Sequence, residues 1–469
     1  KRVAKQIDDL KERIANGDFS KEKRKPLPYD NELNDAKREK LKAQKEFELA
    51  LYQNELANRG KFEIAKDALF EALNIPKAML ATLDMSAPLR QGSMLMFSNP
   101  IIFAKSFLKM HGFAFNSSKF ENAQLDIENH KDYVLMHESG LGLTSPDARL
   151  MAREELFMQR LPKMIPIFSQ LHSVSERAYI GFLNKLRVNV FLSGVEKLKE
   201  AGLSFESNSK AFKDLAKYVN YATGRGDTTT SEGLNKVLNT VFFSPKMITS
   251  RIQMFMLAIN PNTTPQVRTM AIKSLLSFAT YIASVGALSM AVVGKTMLGS
   301  DDDDENFKNF INPIHTDFAK IRKGDYVYDV TAGYAPLIRT IARMGVMAKI
   351  SASGKKTELN GKGFRGETGI SELGNFFENK LSPLARVVYS MPFLTNKNPN
   401  SNKFKETWRD TPPDELIKDI AKSLFIPISV GDIYQNLTDE EIKWYQATTN
   451  ITLGMYGVGI NKYSNKPTP

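Results

Sequence analysis

The chain has 469 residues, 64 Lys and Arg against 52 Asp and Glu, and a formal charge of +12. Apolar residues make up 42 %, enough for a core, so a wholly disordered chain is excluded. There is no cysteine, which excludes a disulfide scaffold, a Cys-ligated zinc site, an iron–sulfur cluster and a thiol nucleophile. The basic excess favours polyanionic partners, nucleic acid or an anionic membrane face.

Residues 1–60 predict a charged helical arm. Lys37 to Asn58 is one solvent-bathed helix, with Leu41, Phe47, Leu49, Leu51 and Leu56 as its apolar contacts. Pro26 and Pro28 break the pattern before it. The first 50 residues carry 14 basic and 11 acidic side chains, so no cleavable signal peptide is expected there.

Residues 61–233 predict a helical domain. Asp67 to Leu73 continues a helix that Pro76 stops. Ser145-Pro146-Asp147 reads as an N-cap, a first-turn proline and a first-turn acid. Ser173-x-x-Glu176 reads as a capping box opening a helix that Gly202 stops. Lys210 to Ala222 is the next helix, ended by Gly224-Arg225-Gly226.

Residues 234–300 are the most apolar region. Ser274–Gly294 is a run of 21 uncharged residues between Lys273 and Lys295. As a helix it spans about 30 Å, the thickness of a bilayer's hydrocarbon layer. Ala279, Ala283, Ala287 and Ala291 recur at four-residue spacing. Such a stripe lets a neighbouring helix approach closely. Two readings stand side by side: a membrane-crossing helix, or the central helix of a soluble bundle.

Residues 301–370 open with DDDDE, read as a solvated charge run. FAKIR, a KGD turn and YVYDV (318–330) read as a β-hairpin. Lys349 to Thr368 reads as a Gly/Lys/Ser-rich loop. Within it, residues 361–366 match G-x-G-x-x-G, but no strand is expected before them, so a nucleotide fingerprint is not inferred. Lys362 and Arg365 in this loop, with Arg225 between its two glycines, are the candidate phosphate contacts for DNA. Residues 371–469 predict a C-terminal helical region: Ser371–Tyr389, Thr411–Leu424, Thr438–Thr448 behind a second capping box, then a polar tail.

His137-Glu138 and Glu154-Glu155 are the remaining acid–base candidates, and they form no known catalytic motif. We expect no enzyme, no cofactor and no metal site. The expected fold is mainly α, a multi-helix elongated assembly with one small β-hairpin.

Several segments follow one another along the chain: LDMSAPLRQG (83–92), SERAYIGFLNKLRVNVF (175–191), YVNYATGRGD (218–227), LNTVFFSPKMITSRIQ (238–253), GKGFRGET (361–368) and ENKLSPLARVV (378–388). Together they resemble a region shared by large polyvalent and internal virion (ejection) proteins of tailed bacteriophages. The resemblance covers residues 65 to 460. It implies a protein packaged inside the capsid and delivered with the genome, which helps form a conduit for DNA across the host envelope. Its expected partners are copies of itself in a ring or tube, other core, portal and tail proteins, packaged DNA held without sequence preference, and the host inner membrane. It assigns no catalytic residue. Two alternatives remain open: a fixed core protein contacting portal and DNA, and a non-catalytic domain of a larger virion-delivered enzyme.

Overall fold

A computed structural model describes residues 31–58, 85–144, 166–228, 232–293, 303–323, 326–362, 366–391, 394–395, 411–425, 442 and 444–462. The expectations at 67–76, Ser145–Asp147 and Thr438–Glu441 lie outside them.

The chain is mainly α. A polar helix, α1 (Asn31–Ala57), comes first. It starts ahead of Lys37, because nothing after Pro28 interrupts the helix-forming run. Lys37 pairs with Glu138 at 2.8 Å. Phe47 and Leu51 are exposed, so they are not packing contacts within this chain. Then follow α2 (Ala87–Arg90), α3 (Ser93–Met96), α4 (Pro100–Phe115), α5 (Ser117–Glu128) and α6 (Tyr133–Glu138).

The longest helix is α7 (Pro166–Glu200). The expected start at Ser173 is wrong. Pro166 is tolerated in a first turn and no breaker follows it, so Ser173 and Glu176 lie inside the helix. Gly202 stops it as expected, at φ +76°, with the Leu203 amide bonded to the Leu198 carbonyl. Next is α8 (Phe205–Ala222), capped by Ser204. Asn208 leaves helical dihedrals, so the regular part begins close to Lys210.

The core forms where α7 lies along α4 and α8. Phe182, Leu186, Phe191, Phe212 and Leu215 are fully buried there. A Cβ on Gly194 would stand 2.5 Å from Leu215 Cδ1, so glycine is what lets α8 close on α7. Around this centre pack α9 (Glu232–Val241), α10 (Pro245–Ile259), α11 (Pro265–Val293) and α12 (Asp303–Ile311). One continuous core runs from Met85 to Tyr334, with Met455 and Tyr456 packed against it.

The expected hairpin is present as β1 (Lys320–Lys323) and β2 (Tyr326–Asp329), antiparallel with Ile321 opposite Tyr328. Two features correct the sequence reading. The tail supplies a third strand, β5 (Gly459–Lys462), antiparallel to β2 with Ile460 opposite Tyr328. The loop expected from Lys349 contains a second hairpin, β3 (Ala348–Ile350) with β4 (Lys356–Glu358). Between the sheets lies α13 (Ala335–Val346).

The helix expected over Ser371–Tyr389 is two, α14 (Gly369–Glu378) and α15 (Pro383–Ser390). Pro383 cannot continue the first helix and opens the second, with Ser382 as its cap. Last come α16 (Pro413–Phe425) and α17 (Trp444–Tyr456). Helix α17 runs past Thr448 because its end docks on α4: the Tyr456 hydroxyl meets His111 Nε2 at 2.7 Å.

Candidate functional site: the apolar helix and the motif residues

Helix α11 carries the apolar run. Its first turn is fastened to α8 through Asp214. The Thr264 amide and hydroxyl donate to Asp214 Oδ2 at 2.9 and 2.8 Å, and Lys210 donates to the same oxygen at 2.6 Å. Burial opposes ionisation of Asp214, but these donors outweigh it and hold its pKa below the usual carboxylate value.

Val267, Ala271, Ser274, Phe278 and Ile282 form the buried face, one residue per turn. Gly286 continues it. A Cβ there would stand 2.3 Å from Cε1 of Phe310, a buried side chain on α12. The opposite face is open: Leu276 is 62 % exposed and Leu288 64 %. Among the described residues this is the one helix long and apolar enough to cross a membrane, over Pro265–Ser289. Only 28 % of that span is buried, so among the described residues nothing encloses it on all sides.

The alanine stripe is not the face this chain packs. Ala279, Ala283 and Ala287 are exposed, and Ala291 lies in the helix with its side chain outside the described set. Phe278 and Ile282, adjacent in register, bury far more apolar area per residue and take the core. The stripe remains open to a second helix.

The motif residues meet elsewhere, around residues 140–144. Arg187 on α7 donates from Nε to Thr223 Oγ1 at 2.9 Å and from Nη1 to the Gly142 carbonyl at 3.0 Å. Asn184 brackets Thr144, accepting its amide at 3.0 Å and donating to its carbonyl at 2.6 Å. Asn220 accepts the Gly142 amide at 2.8 Å and donates to the Gly140 carbonyl at 2.9 Å. Arg225 donates to the Gly142 carbonyl at 3.1 Å and to Thr144 Oγ1 at 3.3 Å. Arg225, expected as a phosphate contact, is thus committed to clamping this segment. The sequence reading missed Asn184, Arg187, Asn220 and Thr223 as a group. Their signal is local: polar residues at core register between Leu183, Leu186 and Val219.

The glycine loop is closed at its base. The Gly361 amide donates to the Glu367 carbonyl at 2.9 Å, and Thr368 caps α14. A strand, β4, does precede it, contrary to expectation. That strand is antiparallel, whereas a dinucleotide site needs a parallel βαβ unit. Lys362 is exposed on this loop, and Arg365 lies outside the described residues. Among the described residues no group of three or more His, Asp or Glu side chains is placed to hold a metal ion. Comparison with family models, curated proteins and solved structures returns no match.

Proposed function

We propose that this protein is an internal virion protein of a tailed bacteriophage, packaged in the capsid and delivered with the genome, and that its copies help carry DNA across the host envelope. The observation that carries this reading is the two-sided character of α11. One face is fixed to the core by Val267, Ala271, Ser274, Phe278 and Ile282. The other presents Leu276, Ala279, Ala283, Ala287 and Leu288. Helices in lipid associate through such small-residue faces and expose such aliphatic ones. The net charge of +12 suits storage against DNA. The ordered motifs supply the family resemblance, and several of their polar residues are what hold the core together.

The second reading is a fixed core protein that contacts the portal and packaged DNA. It is favoured by the anchoring of α11 through Ser274 and Asp214, which ties the apolar helix to a water-soluble fold.

Mass spectrometry of full and emptied virions separates the two. Loss from emptied particles is the expected result, and retention favours the fixed core. Flotation with anionic liposomes tests the membrane part. Wild type is expected to float, and Leu276→Asp and Leu288→Asp to stay at the bottom. Equal failure of all three removes the membrane role.

A further inference from the structure

We propose that the recess between α7, α11 and the α3–α4 link holds the phosphate of an anionic phospholipid. The proposal rests on the reading that the open face of α11 meets a bilayer. The recess is a half-open cavity of about 30 Å³. Ser193 and Lys197 line it from α7, Lys273 and Ser274 from α11, and Ser98 and Asn99 from the link. Segments far apart in the chain thus gather ammonium, hydroxyl and amide groups around one small space.

The inner groups are fixed and the outer ones are free. Ser274 is buried, and its hydroxyl donates to Ser98 Oγ, which also takes one hydrogen of the Asn99 amide. Asn99 is the N-cap of α4 and places no side-chain acceptor on that helix's free amides, so the positive end of α4 stands at the recess. The Ser193 hydroxyl meets no partner among the described residues. At the rim Lys197 and Lys273 are exposed. Among the described residues neither lysine is in an ion pair, and no Asp or Glu lines the recess. Glu196 and Glu200 share the end of α7 with Lys197, and they pair with neither lysine.

A phosphate answers this set of donors. Its charge faces the two lysines, and its oxygens accept from the hydroxyl and the amide. The space equals about two waters, so the phosphate enters and the rest of its molecule stays outside. Position selects the lipid. Lys273 is the last charge before the uncharged run, and Ser274 is the first residue of that run. Leu276, 62 % exposed, lies one turn on from Lys273 on the same side of α11. A helix with such a face in a bilayer lies at the boundary of headgroups and acyl chains, where the lipid phosphates are, and lysines at its edge reach them. A DNA backbone carries the same group but would lay a charged strand along this apolar rim.

The test floats the full chain with vesicles of phosphatidylcholine and phosphatidylglycerol. Two double variants each remove two exposed lysines: Lys197→Gln with Lys273→Gln at the recess, and Lys199→Gln with Lys217→Gln outside it. General attraction to the anionic surface falls equally in both. The recess pair is expected to bind vesicles at least about tenfold more weakly than the outside pair. Without vesicles, all three proteins are expected to melt alike in chloride. Phosphate at equal ionic strength should raise Tm saturably in wild type and in the outside pair, and not in the recess pair. Flotation weakened equally by both pairs overturns the proposal and leaves the membrane reading standing. If wild type does not float but keeps a phosphate shift that the recess pair lacks, the lipid occupant and the membrane reading fall together, and the recess takes free phosphate. Duplex DNA binding that drops in the recess pair alone, without flotation, gives the recess to nucleic acid and overturns the lipid. Equal shifts by phosphate and chloride in wild type also overturn the proposal.

Discussion

The hydroxyls of Tyr218 and Ser274 meet at 2.7 Å, with both residues buried. Ser274 donates onward to Ser98 Oγ at 2.9 Å, and Asn99 donates to the same oxygen at 3.0 Å. This polar chain joins α8, α11 and the α3–α4 link, and it begins at the first residue of the apolar run. Burial raises the Tyr218 pKa, so the phenol stays protonated and the chain stays intact across the physiological range. Tyr218→Phe removes one bond and leaves Ser274 its bond to Ser98. We expect a loss of about 1–2 kcal/mol by urea unfolding. An unchanged midpoint would show that the hydroxyl chain does not anchor the helix.

The two faces of α11 predict opposite responses to small changes. Gly286→Ala pushes a methyl into the Phe310 ring, and a loss of about 1–3 kcal/mol is expected. Ala283→Leu adds far more volume on the exposed face and should change monomer stability by no more than about 0.5 kcal/mol. Denaturant melts of both, beside cross-linking of copies, distinguish the face used within the chain from one used between chains. Ala283→Leu should reduce cross-linking while leaving the melt unchanged.

Arg187→Met removes the buried guanidinium that holds Gly142 and Thr223. It takes a donor from the Thr223 carbonyl and hydroxyl and leaves the Gly142 carbonyl to Arg225, at a cost of about 1–3 kcal/mol. Hydrogen exchange should show residues 140–144 opening first. If that segment keeps its protection, the clamp is redundant.

Lys380 sets a pH dependence with a definite sign. Its pKa falls from 10.5 to about 8 on folding, through burial and then Arg251, with Arg339 and Arg90 adding to the fall and Asp329 opposing it. Between those values the unfolded chain holds the proton more than the folded one does, so stability rises with pH across that window. Below pH 8 both states are protonated and the penalty is constant. Above pH 10 the tyrosines act the other way: burial raises Tyr218 and Tyr334, and their contribution is lost as pH climbs. Urea midpoints from pH 7 to 10 should therefore increase in wild type and stay flatter in Lys380→Met. An increase of equal size in the variant would assign the effect to another group.

What could be read from the chain was local. The β1–β2 hairpin announced itself through alternation on both sides of one turn, and Gly202 and Gly224 marked helix ends by their place after apolar periods. The far partner of β2 was invisible, because Asn461 and Lys462 are read as the start of a polar tail until β2 supplies the pairing. The second hairpin was hidden by strands of three residues in a Lys- and Ser-rich context. On α11 two apolar stripes lie side by side, and composition cannot say which faces inward. The core chose Phe278 and Ile282 over Ala279 and Ala283 by size. Lys380 is an ordinary surface-type residue in the sequence, and only the folded chain sets it over the Phe376 ring.

The pairing of β5 with β2 has a consequence in time. Asn450 on α17 accepts the Tyr328 hydroxyl at 2.7 Å across 122 positions, and β5 completes the sheet a few residues later. Whether the chain emerges from a ribosome or refolds after unravelling, β2 shows a bare edge until that last stretch arrives. Copies crowded together during this interval compete for the same edge, so the order in which segments appear decides between closure within one chain and strand exchange among several.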